Sequence, residues 1–242
     1  MSPDNPLKIS QSLLTATGTQ MFVYHEDRIP GRDCSVIVVS NHRGFMDTLL
    51  LMAALKHPIR MACHHYMGRV PMMRLAIEQI GGFPLKAPEH RQQAFFEQAT
   101  QLLEQRQWVG LFPEGAGPMV HLTKPNEMRK FHRGFVHLAL RTSIQNLAIL
   151  PVAIGSFEET VLKTTLPLPL LRLVDPSEPL FAKAGWHPLV LHHRVAVSIG
   201  NPYWITPKDR KRYQGKDARK VVSEITKTCQ DEISNLLYQT LY

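Results

Sequence analysis

The chain has 242 residues, 44% apolar and 20% charged, enough for one substantial core and typical of an ordinary globular domain. Lys and Arg outnumber Asp and Glu by 28 to 20, a formal net charge of +8, so an anionic partner is expected: phospholipid headgroups, nucleic acid or an acidic carrier protein. Cys34, Cys63 and Cys229 lie far apart with no CxxC spacing, which argues against a disulfide framework or a zinc knuckle and fits a reducing compartment.

The opening MSPDNPLKIS has no positively charged region followed by an apolar run, so no signal peptide is expected. Residues 1–18 are read as an N-terminal segment and 19–242 as one domain. A first strand is expected at Thr19–His25, short, β-branched and aromatic. The next segment, SVIVVSNHRGFMDTLLLMAAL, reads as a buried strand at Ser35–Ser40, a turn and a helix. Further strands are expected at Ile59–His64, Trp108–Phe112, Leu147–Gly155 and Arg194–Gly200. Between them Phe95, Ala99, Leu102 and Leu103 line one helical face, and Phe131, Phe135, Leu138 and Thr142 line another. Thr160–Leu191 is rich in Pro and Leu, a poor helix and a poor central strand, and reads as a loop over the core, a cover for an acyl chain, or an edge dipped into a bilayer surface. A last helix, Lys216–Leu241, carries Val222, Ile225, Cys229, Ile233 and Leu236 at core spacing. Its leading segment, Pro207–Lys227, holds eight basic and three acidic residues, either a solvated helix start or a docking surface for anionic headgroups or an acidic carrier protein. The most apolar runs, Leu49–Leu55 and Leu147–Ile154, fall well short of the roughly 18 to 20 residues that cross a bilayer.

Strands alternating with helices predict an α/β fold: a mixed, largely parallel sheet flanked by helices in a single domain. Chemistry in such sheets gathers in loops at the carboxyl ends of strands. His42 and Asp47 stand in the first of these loops. Five residues apart on a continuous helix, their side chains would diverge by about 140°. If His42 ends the strand and the helix begins near Phe45, the chain doubles back and the two can meet. Asp47 then accepts a hydrogen bond from Nδ1–H of His42, and Nε2 is free to accept a proton from a hydroxyl. Alone the pair is a weak signal, because a histidine beside an apolar strand is commonly a structural hydrogen-bonder. In WVGLFPEG a buried strand runs into Pro-Glu-Gly, which presents Glu114 at the strand's carboxyl end beside Gly115, although such a tripeptide also suits a surface turn.

NHRGFMD (41–47), with its His-x4-Asp spacing, followed by FPEG (112–115) resembles the paired signatures of the glycerolipid acyltransferase family, which acylates lysophosphatidate and glycerol 3-phosphate. Further similarities follow in order: GGFPL (81–85), FHRGFVHLALRT (131–142), ILPVAI (149–154) with Pro151, and RVAVSIGNP (194–202). The resemblance spans Gln20 to Pro202, with a motif-bearing core at 35–202 and the basic C-terminal helix at 207–241. It implies transfer of a fatty acyl group from acyl-CoA or acyl carrier protein to a hydroxyl of a lysolipid acceptor, lysophosphatidate first. His42 would be the base and Asp47 its orienting partner, with no acyl-enzyme, no cofactor and no metal. Glu114 and Gly115 would belong to the acceptor site.

Two positions depart from the family pattern. Ala87 stands where a phosphate-gripping Arg is usual, and Ala116, Gly117 and Pro118 follow FPEG in place of Thr and a basic or polar residue. Lys86, Arg91, Arg129, Lys130 and Arg133 are the basic side chains placed to compensate, although an ammonium does not replace a bidentate guanidinium. Gly44 also replaces a usual Ser. The resemblance further implies a protein lying on the cytoplasmic face of an anionic membrane surface rather than across it. His64–His65 and His192–His193 invite a metal, but neighbours on a strand point to opposite faces, so a shared ion is not expected. A serine hydrolase is disfavoured because no GxSxG occurs, and nucleic acid because no basic–aromatic strand pattern does. The alternatives left open are acylation of a phosphate-free alcohol or another lysolipid, and a catalytically inactive basic lipid-binding protein.

Overall fold

The computed structural model describes residues 5–69, 71–85, 91–115, 124–125, 127–167, 172–173, 176 and 186–241. Its strands are β1 (Gln20–Tyr24), β2 (Ser35–Ser40), β3 (Ile59–Cys63), β4 (Phe83–Pro84), β5 (Trp108–Leu111), β6 (Leu147–Pro167), β7 (Trp186–Ile199) and β8 (Tyr203–Trp204). Its helices are α1 (Asn5–Ala16), α2 (Met46–Leu55), α3 (Pro71–Gln79), α4 (Arg91–Glu104), α5 (Gly134–Arg141), α6 (Pro207–Gln214) and α7 (Ala218–Leu241). The strands form one sheet in the order β1-β7-β6-β2-β5-β3-β4, with β8 beside β6. Only the β6–β7 and β6–β8 pairs are antiparallel among the described residues. The expected mixed, largely parallel sheet is therefore what forms.

β2 lies between β5 and β6, and every one of its residues is buried. Such a strand reads as a continuous apolar run because helices cover both of its faces. Val36 and Val38 point to the side of α1 and α2, whereas Ile37 and Val39 point to the side of α4, α5 and α7. α2 is buried on all sides, so its sequence, LLLMAAL after the first turn, has no polar face to offer. Leu50 is wholly buried there, and Leu50→Ala should cost about 2–5 kcal/mol in denaturant titration. α1 closes the outer side of α2, where the Ser10 hydroxyl, donating to the Pro6 carbonyl at 2.8 Å, lies 3.5 Å from the Met52 sulfur. No helix of the described residues is long and apolar enough to cross a membrane.

The structure changes one expectation substantially. The strands expected at Leu147–Gly155 and Arg194–Gly200 extend much further, to Pro167 and back to Trp186, as an antiparallel ribbon. Much of the Pro-rich segment thus becomes strand. Beyond Ile154 on β6 and before Arg194 on β7, the two strands pair only with each other among the described residues, and an edge strand tolerates proline. Of that segment, residues 168–171, 174–175 and 177–185 lie outside the described residues. Val161 and Leu162, on successive ribbon positions, are both exposed. α1, α3 and the two-residue strands β4 and β8 add to the expected elements. The basic segment divides into α6 and α7, and α6 opens with a capping box between Thr206 and Asp209.

Candidate active site

The carboxyl end of β2 supplies the first half of the site. Asn41 continues the β2–β6 pairing with its side chain: Nδ2 donates to the Ile154 carbonyl at 2.9 Å, and Oδ1 accepts the Ile154 N–H at 2.8 Å. The main chain is thereby released to turn, and α2 begins at Met46 with Phe45 as its N-cap. Asp47, in the first turn, reaches back across that bend. Its Oδ2 accepts from His42 Nδ1 at 2.9 Å, from the Arg43 N–H at 2.5 Å and from the Gly44 N–H at 2.8 Å. The expected meeting of His42 and Asp47 is therefore made by the expected reversal of the chain.

Asp47 has no solvent exposure. Burial alone would raise its pKa, but hydrogen bonds from His192 and His42 outweigh this and hold the carboxyl well below the usual range. An ionised carboxylate only accepts, so Nδ1 of His42 carries the proton and Nε2 keeps its lone pair. Nε2 has no hydrogen-bond partner among the described residues.

The second half comes from the turn after β5. Phe112 stacks on the His42 ring, centroids 4.0 Å apart and planes 11° from parallel, fixing the imidazole plane. Gly115 has φ 71°, a left-handed backbone that favours glycine, and a Cβ there would come within 3.2 Å of the exposed His132 ring. Glu114 points inward and is 4% exposed. Its Oε1 accepts the His42 N–H at 2.8 Å and its Oε2 the Arg129 N–H at 2.7 Å. Burial raises its pKa, a shift the Arg129 and His42 amides only partly offset. Glu114 thus ties the His42 turn to the segment around Arg129 instead of presenting a free carboxylate.

Two apolar cavities flank this centre, sharing Phe112 and Ala62 as a common wall. One, of about 80 Å³, is bounded by His42, Phe45, Met61, Cys63 and Met67. The other, of about 170 Å³, is bounded by Leu85, Phe95, Gly115 and Phe135. Two alternative nucleophiles are nearby and neither is poised. Burial pushes the Cys63 thiol up to about 12, and Ser40 Oγ is buried with no hydrogen-bond partner among the described residues.

The other basic and substrate-side candidates are dispersed. Lys86 lies outside the described residues, and Arg91 opens α4 with its side chain outside the description. Arg133 is exposed at the start of α5, where it lines a separate depression with His137, Tyr213 and Arg219. Pro151 sits inside β6 opposite Val39, its carbonyl accepting the Gly200 N–H at 2.8 Å, and it borders neither cavity beside His42. At Gly44 an added Cβ would make ordinary contact with Val190 at 3.5 Å, so the usual Ser would fit. On β7 the neighbouring histidines diverge as expected, His192 toward Asp47 and His193 toward Thr160, whereas β3 ends at Cys63 and His64–His65 does not lie on a strand.

Arg43, Glu159 and His192 went unrecognised as parts of the site. Arg43 pairs with Glu159 through one guanidinium edge, Nε to Oε2 at 3.2 Å and Nη2 to Oε1. His192 Nε2 lies 3.3 Å from Asp47 Oδ1. A pairing diagram of the β6–β7 ribbon would have placed Glu159 opposite His192, but nothing in either strand's own sequence announces that register.

Residues 20–155 match the family model described as Acyltransferase. No curated protein sequence matches the chain. Among solved structures, the chain is similar to the 1-acyl-sn-glycerophosphate (LPA) acyltransferase PlsC from Thermotoga maritima. That likeness covers 93% of this chain and 77% of the other, at 18% identity and a TM-score of 0.53, and supports the shared fold.

Proposed function

The chain belongs to the acyltransferase family, and from that premise we propose that it moves a fatty acyl group from acyl-CoA or acyl carrier protein to a glycerolipid hydroxyl. The acceptor proposed first is 1-acylglycerol 3-phosphate, with phosphatidate as product. The observation that carries the proposal is the 2.9 Å contact of His42 Nδ1 with buried Asp47, which leaves Nε2 unpartnered beside an apolar cavity.

The acceptor hydroxyl gives its proton to Nε2 of His42 as its oxygen attacks the thioester carbonyl. The imidazolium formed is stabilised by Asp47, which remains ionised throughout. The tetrahedral oxyanion then collapses, the C–S bond breaks, and the departing thiolate takes the proton from His42. No residue is acylated, in keeping with the high pKa of Cys63 and the isolation of Ser40 from His42. Phe112 holds the ring plane, and Glu114 holds the turn from which His42 projects.

An anionic membrane surface is the proposed source of the acceptor. Lys208, Lys211, Lys216, Arg219 and Lys220 are exposed on α6 and at the start of α7, and Arg219 borders the same depression as Arg133. Exposed Phe157, Val161 and Leu162 on the ribbon add apolar contact. Binding to vesicles containing anionic lipid should weaken steeply with salt; salt-independent binding, or none, removes this part of the proposal.

The reaction is tested with purified protein, acyl-CoA and acyl carrier donors, and a panel of lysophosphatidate, glycerol 3-phosphate and phosphate-free alcohols. Ester formation on lysophosphatidate is expected. Thioester hydrolysis without ester formation, or no turnover with any pair, would overturn the proposal. Faster transfer to a neutral alcohol would reassign the acceptor, the outcome favoured by Ala87 in place of the family's Arg.

A further inference from the structure

We infer that His192 is a positioning residue: it grips the Asp47 carboxylate on the side away from His42, and so sets where the catalytic imidazole points and how readily it accepts a proton. This rests on the reading of His42 as the general base.

His192 is 1% exposed and belongs to β7, directly opposite Glu159 of β6. Its Nδ1 lies 3.1 Å from Ser156 Oγ and 3.9 Å from Glu159 Oε2, and its Nε2 lies 3.3 Å from Asp47 Oδ1. If the Ser156 hydroxyl donates to Nδ1, the neutral ring donates from Nε2, where Asp47 can only accept. The backbone carbonyl of His192 accepts from Thr19 Oγ1 at 2.9 Å, which steadies the strand at this position.

These contacts close a ring. Asp47 accepts from His192, His192 approaches Glu159, Glu159 pairs with Arg43, and the Arg43 N–H returns to Asp47. The ring has a chemical consequence. Arg43 balances Glu159, so the Asp47 charge is left for the imidazolium that forms at His42. It also has a mechanical one. Oδ2 serves three donors, while Oδ1 has His192 as its partner in a position sealed from water. Without that partner Oδ1 is a buried acceptor left unsatisfied, and the carboxylate gains by rotating away from the geometry that aligns His42.

The strand is bent to make this arrangement. Ser156 and Glu159 are three residues apart, an interval that puts side chains on opposite faces of a regular strand. Register shifts fall between Ser156 and Glu158 and between Glu158 and Glu159, and they bring both side chains to the same imidazole.

The test compares wild type with His192→Leu, His192→Gln and His192→Asn, with His42→Ala as control, and confirms folding by thermal unfolding. Gln carries an N–H toward the place of Nε2, whereas Asn is too short to reach Oδ1. His192→Leu should lower kcat about ten- to a hundredfold, the value of a hydrogen bond to a charged group, with KM changed less than about threefold. The acid limb of kcat/KM should move to higher pH, because the Asp47 charge, no longer shared with His192, holds the His42 proton more tightly. The other titratable or charged groups around this pair, Arg43, Glu159, Glu114 and His64, are unchanged in every variant. His192→Gln should recover most of the loss and His192→Asn little of it. Should His192→Leu fail to fold, the Gln–Asn contrast decides, and equal kcat in those two overturns the inference. So does a folded His192→Leu with wild-type kcat and pH profile, provided that His42→Ala is inactive. An active His42→Ala overturns instead the general-base reading on which the inference stands.

Discussion

Two buried carboxylates hold His42, Asp47 at its ring and Glu114 at its main-chain amide, and they behave oppositely. Asp47 accepts from two imidazoles and two backbone amides, and its pKa falls despite complete burial. Glu114 accepts from two backbone amides, and its pKa rises. Burial penalises both charges, so the number and kind of donors decide the sign. Asp47 is fitted to stay ionised while a positive charge forms beside it. Glu114 is fitted to fasten two loops together.

The largest effect expected is on the proposed base, His42. His42→Ala should lower kcat by about 10²–10⁴-fold or more, and near-normal turnover in that variant would leave both carboxylates without a catalytic object. Asp47→Asn should come close behind. An amide can present its NH2 to Nδ1 and select the tautomer that lacks a free Nε2, so a loss on the order of 10²–10⁴-fold is expected with donor binding retained. Full-rate turnover with normal donor binding would show that Asp47 does not orient the base.

Glu114→Ala should act first on stability. It leaves the His42 and Arg129 amides unsatisfied, at about 1–3 kcal/mol for each that stays buried, and Tm should fall by several degrees while activity falls less than in Asp47→Asn. A larger activity loss than Asp47→Asn, with Tm unchanged, would reverse the roles assigned here.

The pH dependence of stability separates the pair by sign. Asp47 titrates lower in the folded protein than in the unfolded chain. Its contribution is present above the unfolded value near 3.8 and is lost as the pH falls. Glu114 titrates higher when folded. Its contribution is present below the unfolded value near 4.5 and is lost as the pH rises through the folded value. Relative to wild type, Asp47→Asn should therefore lose less Tm on acidification from about pH 6 to pH 3, and Glu114→Gln should lose more. The same slope in both variants would mean that neither carboxylate is shifted as described. The smallest effect belongs to Gly44→Ser, which keeps the N–H that Asp47 needs and meets only ordinary contacts, so kcat should stay within about twofold.

The Asp47 side of this comparison was legible in the sequence because it is local. A buried strand, a five-residue bend and a helix first turn contain both members of the dyad, and backbone geometry dictates that they meet. Glu114 was legible as a position but not as an orientation: FPEG places it at a strand's end, and its inward turn depends on an amide fifteen residues away. His192 was not legible, since it reaches Asp47 across 145 positions through a register that two irregularities re-phase. The ribbon itself was missed for a related reason. Its prolines argue against a strand in the middle of a sheet, and only the tertiary pairing creates a two-stranded stretch with free edges.

Seen as an instrument, that ribbon is a ruler whose zero mark lies at the His42–Asp47 pair. What the ring around Asp47 requires of it is one register, Glu159 opposite His192. A slip of one position would present Leu191 or His193 in place of His192 and turn every side chain of β7 to the other face. Phase along the ribbon, set by two irregularities of β6, is therefore what the site depends on.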